Sequence, residues 1–104
     1  MSTKKKSDAT QFLEKLTGGP LTMGELLRAL RKSEGRTQEE FASYLEITKQ
    51  QICDIEKGRK LVSPSRAALF AKRLRQPAAF FIQVALQEEL RNAGLKIKVR
   101  VEPA

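Results

Sequence analysis

The chain has no histidine, no tryptophan, one cysteine and one tyrosine among its 104 residues. Each scarcity excludes something. Without histidine, neither a Ser–His nor a Cys–His nucleophile can be assembled. A single thiol, Cys53, falls short of the Cys/His ligand count of a zinc site and cannot close an internal disulfide. No apolar run approaches the roughly 20 residues of a membrane span. The basic run Lys4-Lys5-Lys6 is not followed by the apolar segment of a secretory signal, so a cytoplasmic chain is expected. The aromatics are five Phe and Tyr44, and the Phe fall mostly on core faces, which is not the stacking pattern of a single-strand RNA binder. No catalytic residue, cofactor or metal is expected.

What is abundant is positive charge. Twenty Lys and Arg stand against twelve Asp and Glu, a net charge of +8 with a pI near 10.0. Such a balance points to a polyanionic partner, nucleic acid before an anionic membrane surface. Eight of the cations and only three carboxylates lie in residues 63–104.

Residues 1–21 read as a flexible arm. ATQFLEKL within it offers Phe12, Leu13 and Leu16 on one side, and Gly18-Gly19-Pro20 separates it from the helical region. From Thr22 the period becomes helical: Leu26, Leu27 and Leu30 form one face, and Gly35 stops the helix. Thr37 with Glu40 is a capping box before Phe41, Ala42 and Leu45. Thr48 caps a third helix, with Ile52 and Ile55 spaced to face inward and Gly58 at its end. Ser63-Pro64 opens a fourth helix, and Pro77 suits the first turn of a fifth that runs to about Asn92. In the last segment Leu95, Ile97, Val99 and Val101 alternate with Lys96, Lys98 and Arg100, the period of a half-buried strand.

Gln38 to Lys57 carries the spacing of a helix-turn-helix. Ala42 is the small residue needed where two helices cross closely; Phe41, Leu45, Ile47, Ile52 and Ile55 fall where they lock together; Glu46-Ile47-Thr48 fits the short turn. The stretch TQEEFASYLEITKQQICDIEKGRK resembles the helix-turn-helix of the phage repressor and Cro (XRE) family, a likeness covering roughly residues 22–86. It implies an all-α, five-helix, lambda-repressor-like domain, here residues 22–93; the residues' own pattern puts the flexible arm before it and a C-terminal β-strand, 94–104, after it. It further implies a symmetric homodimer on double-stranded operator DNA. By the same resemblance Gln38 holds a phosphate, bases are read by Lys49, Gln50, Gln51 and Asp54, and Lys57, Arg59 and Lys60, with Thr48, lie near phosphates. Arg31 and Glu56 match the family's structural pair.

The chemistry agrees with that assignment. Gln bonds in bidentate fashion to adenine N6/N7 and Lys to guanine O6/N7, each good pair giving about 1–3 kcal/mol of discrimination. Lys49, Gln50 and Gln51 also fit as ordinary soluble first-turn residues. Asp54 either accepts from cytosine N4 or is a plain surface charge. Glu46 stands where the family has glycine, in a turn that tends to need positive φ. Cys53 is either a small half-buried thiol or a redox switch. Arg28, Lys32 and Arg36 either add phosphate contacts or solvate the first helix.

Phe80, Phe81 and Val84, with Ile97 and Val99 of the tail, are candidates for the dimer interface, or the helical three complete the monomer core. A small domain of this kind with short extensions resembles the HigA-type antitoxins of toxin–antitoxin operons. That layout implies that Phe12, Leu13 and Leu16 dock on a RelE-like ribonuclease toxin. A stand-alone XRE-type regulator is the alternative.

Overall fold

The computed structural model describes residues 20–104. Among these residues five helices occur in order: α1 (Met23–Ser33), α2 (Gln38–Leu45), α3 (Lys49–Glu56), α4 (Pro64–Arg73) and α5 (Ala78–Asn92). Four of them begin on a hydroxyl cap. Thr22, Thr37, Thr48 and Ser63 each accept from a backbone amide three residues on, and the three threonines close full capping boxes with Glu25, Glu40 and Gln51. Such a cap contributes about 1 kcal/mol by pairing an amide that the helix cannot satisfy itself.

The helices also end alike. Residues 35, 46, 58, 75 and 94 all have positive φ. In each case that residue's amide and the next one bond back into the last turn, as Glu46 and Ile47 do to the Ser43 and Ala42 carbonyls. Three of these positions are glycine, as the geometry favours; Glu46 (φ 60°) and Arg75 (φ 57°) are not. Glu46 carries its strained backbone with outside help. The Arg73 guanidinium donates to the Leu45 carbonyl at 2.6 Å and lies 3.3 Å from the Glu46 carboxylate, tying α4 to the end of α2.

The apolar faces converge on one core. Leu26 and Leu27 of α1, Phe41 and Leu45 of α2, Ile52 and Ile55 of α3, Phe70 of α4 and Phe81 of α5 are all buried there, with Leu21 and Val62 from the connections. Burying each Phe supplies about 1.5–3 kcal/mol. Gly24 makes the close approach of α1 to α3 possible. A Cβ there would collide with the Ile55 carbonyl oxygen and sit 3.1 Å from that of Glu56. Glu88 of α5 is buried beside the core and accepts from the Met23 amide at 2.9 Å, pairing an amide in the first turn of α1.

The expected C-terminal β-strand does not form; among the described residues there is no strand. The tail runs back along α5, and two glutamines one turn apart hold its backbone. Gln87 Nε2 donates to the Ile97 carbonyl (2.7 Å), and Gln87 Oε1 accepts from the Val99 amide (2.8 Å). Gln83 Oε1 accepts from the Val101 amide (2.9 Å). The match is metric: two extended residues advance about 6.6 Å and four helical residues about 6 Å. Side-chain amides therefore supply what a neighbouring strand would. The expected N-terminal arm lies almost wholly outside the described residues, and Phe12, Leu13 and Leu16 with it.

Candidate nucleic-acid interface

The interface is built outward from a polar lock under α3. Glu56, at the end of α3, has a side chain only 4% exposed. It accepts from Arg31 Nε (2.7 Å) and Nη2 (3.0 Å), and from Gln38 Nε2 (3.1 Å). Arg31 Nη1 also donates to the Arg36 carbonyl at 3.1 Å. One carboxylate thus joins α1, the start of α2 and the end of α3, and Arg31 sets the chain between α1 and α2. The bond to Glu56 holds the Arg31 guanidinium still more firmly protonated than usual. Gln38 is committed to this lock through its Nε2 and is half-buried at the first position of α2.

With α3 locked, Ile52 and Ile55 face inward and Lys49, Gln50 and Gln51 are exposed. The first turn of α3 holds no acidic residue, whereas that of α2 has Glu39 and Glu40. A helix N-terminus favours anions, so a cation at Lys49 is not there for the helix. Its ammonium lies 3.8 Å from Glu39 Oε1, with both side chains mostly exposed, a contact of little energetic weight.

The remaining sequence candidates fall into three settings. Gln51 and Thr48 belong to the capping box: Gln51 Oε1 accepts from the Thr48 amide at 2.8 Å, and Thr48 Oγ1 accepts from the Gln51 amide at 3.0 Å. Gln51 thus has its Oε1 turned to its own helix, while its Nε2 has no partner within the helix. Gln50, Asp54 and Arg59 form a second cluster. Gln50 Nε2 donates to Asp54 Oδ1 at 3.0 Å, and Arg59 Nε donates to the same oxygen at 3.0 Å. These bonds, Arg59 first, hold the Asp54 carboxyl below its ordinary range and raise the Arg59 guanidinium in turn. Lys57 and Lys60 are exposed on either side of Gly58 and Arg59 in the loop after α3. Arg28 and Lys32 are exposed on α1, and Arg36 stacks 4.5 Å over the Tyr44 ring. Cys53 is half-buried, with Arg59 Nη2 3.8 Å from its sulfur.

Of the residues considered for a dimer face, Phe81 and Val84 are in the core of the chain itself and Phe80 packs on its edge. Ile97 is exposed and Val99 half-buried.

The geometry is that of two helices joined by a three-residue turn, the second exposing its first turn beside a basic loop. A family model described as helix-turn-helix matches residues 27–81, just over half of the chain and the segment that holds this arrangement. The chain belongs to the XRE-type helix-turn-helix family. No curated protein and no solved structure gave a match. As an XRE-type protein it is a DNA-binding transcription regulator. Among the described residues no helix is long and apolar enough to cross a membrane.

Sequence reasoning missed several residues that shape this XRE-type interface. Gln51 as a cap partner was legible, because Thr48-Lys-Gln-Gln51 has the capping-box spacing. Gly24 left the signal of a glycine inside a helical pattern. The Arg73 bridge and the Glu88 bond join distant elements and left none; the Gln50–Asp54 pair left the i, i+4 spacing at which Gln and Asp bond on one helix, and Arg59 joins it only through the turn at Gly58.

Proposed function

We propose that the protein is a sequence-specific repressor that binds double-stranded operator DNA as a dimer and also serves as the antitoxin of a toxin–antitoxin operon. The single observation that carries the DNA reading is the exposed Lys49-Gln50-Gln51 turn, set on a locked helix and followed at once by Lys57, Arg59 and Lys60. In this reading α3 lies in the major groove, where Lys49 and Gln50 take base edges. Gln51 adds its one uncommitted amide group. Gln38, Thr48 and the loop cations face phosphates, which set register and most of the affinity. A dimer reads two half-sites one helical turn apart. Its contact surface centres on Phe80, Ile97 and Val99; the 47% exposure of Leu95 and the 55% exposure of Ile97 support it. The protein acts in the cytoplasm, on the chromosome of a bacterial cell.

In the antitoxin role Phe12, Leu13 and Leu16 dock on a RelE-like ribonuclease toxin. A stand-alone regulator is the second reading, and the net charge of +8 favours it, since a basic ribonuclease would be repelled. Fluorescence anisotropy with DNA from upstream of the protein's own gene, against a scrambled duplex at two salt concentrations, tests the repressor. Tight binding to the first duplex alone is expected; equal, salt-sensitive binding to both would leave a non-specific basic domain. Co-purification with the product of an adjacent small gene, lost on deleting residues 1–21, is expected of the antitoxin. If no such complex forms, the stand-alone reading stands.

A further inference from the structure

A carboxylate on the DNA face of a recognition helix needs an explanation, because it repels the phosphates its neighbours attract. Asp54 is such a group, one turn beyond Gln50 on α3. Its position is not incidental. Oδ1 takes Gln50 Nε2 at 3.0 Å, Arg59 Nε at 3.0 Å and Arg59 Nη2 at 2.9 Å. The Asp54 carbonyl accepts from the Arg59 amide at 2.8 Å and from the Lys60 amide at 3.3 Å. Both ends of the residue thus organise the loop after α3. The Asp54 side chain is 19% exposed and that of Arg59 54%, so the pair sits at the surface with the guanidinium reaching outward.

This arrangement fixes which way the Gln50 amide points. An ionised carboxylate can only accept, so Gln50 must turn its NH₂ group to Asp54 and leave Oε1 outward. The orientation is dictated by chemistry and not by choosing between two similar ends. Toward a base, Gln50 then presents an acceptor and one remaining N–H. Adenine offers the complement, a donor at N6 and an acceptor at N7, whereas guanine offers two acceptors, O6 and N7. A Gln50 free to flip could still give its NH₂ group to guanine; one held by Asp54 meets O6 with Oε1.

We propose that Asp54 is a positioning residue that reads no base itself, holds Gln50 in the amide orientation selecting adenine over guanine, and restrains Arg59 from indiscriminate phosphate binding. The idea rests on the base-reading role proposed for Gln50. Its first consequence is a loss of discrimination without Asp54. Its second has the opposite sign from ordinary damage: affinity for unrelated DNA should rise, since a carboxylate has gone and Arg59 is released.

The test is selection from a pool of duplexes randomised over two helical turns, with sequencing of the bound fraction, for the full chain and for Q50A, D54A, D54N and the double variant Q50A/D54A. The unaltered chain should enrich a site in which Q50A abolishes one adenine preference. D54A should cut the adenine-to-guanine ratio at that position about tenfold, and the double variant should be no worse than Q50A alone. Anisotropy on a scrambled duplex should show tighter binding by D54A, with a salt dependence steeper by up to about one unit. D54N keeps an acceptor for Gln50 but no charge. It should raise scrambled-duplex affinity while retaining part of the adenine preference, and it serves if D54A proves poorly folded by circular dichroism. An unchanged ratio in D54A, an additive loss in the double variant, or weaker binding of D54A to the scrambled duplex would overturn the positioning role alone. A wild-type chain that enriches no sequence would overturn the specific-binding reading and this inference together.

Discussion

Helix α3 and the C-terminal tail make opposite use of glutamine. In α3, Gln51 is spent on its own helix, closing the box with Thr48, and Gln50 is held by Asp54 one turn away. In α5, Gln83 and Gln87 reach out of their helix to take the backbone of residues ten or more positions further along the chain. The first pair organises an element whose shape was already set by local spacing. The second pair creates an arrangement that local spacing misdescribes. Alternation of Leu95, Ile97, Val99 and Val101 with Lys96, Lys98 and Arg100 specifies an extended chain, but it does not say what the backbone will bond to. Capping boxes name their own partners; extended segments do not.

Mutations can test that contrast. The largest effect is expected where two elements meet with no tolerance. Gly24→Ala should destabilise the domain by about 3 kcal/mol or more, since the added methyl meets the Ile55 carbonyl and backbone must move. Urea unfolding measures it, and a loss near zero would mean that α1 and α3 are not so closely apposed. Next comes Arg31→Ala, which strands the Glu56 carboxylate. A loss of about 2–3 kcal/mol is expected, less than for a fully buried pair because Arg31 borders solvent. Gln38 Nε2 is then the side-chain donor left to Glu56, and DNA affinity should fall with stability.

Smaller changes are expected elsewhere. Glu46→Gly should stabilise by up to about 1 kcal/mol by relieving a left-handed residue with a side chain, offset by the lost contact to Arg73. A destabilisation would show that the Arg73 bridge outweighs the strain. The smallest global effect is expected at the tail. Gln87→Ala should lower stability by less than about 1 kcal/mol while the Val99 amide loses its protection from hydrogen exchange and the α3 amides keep theirs. Loss of protection in both regions would mean that the tail is part of the domain's cooperative unit.

Several residues that act within a turn of their partner were readable in the sequence. Thr37 and Glu40, Thr48 as a cap, Ser63-Pro64 and the glycines at 35 and 58 all act over a few residues, so their spacing is their geometry. The inward faces of α2 and α3 are set by the helical period for the same reason. The position of the exposed first turn of α3 was legible in this way. Which of its side chains remain free was not: Gln50, Gln51 and Asp54 have the same residue types whether they face solvent, each other or a base. Their commitment depends on rotamers, and on an Arg59 brought back by the turn at Gly58.

The sequence by itself determined five amphipathic helices, their caps and stops, the helix-turn-helix spacing and a basic surface, because each of these is local or additive along the chain. Only the tertiary structure decided that Glu56 would serve three helices, that Gly24 would let α1 touch α3, that Arg73 would steady a strained Glu46, and that the tail would hang on α5 in place of pairing as a strand. Those are contacts between residues far apart in sequence, and their geometry exists only once the core has set the helices side by side.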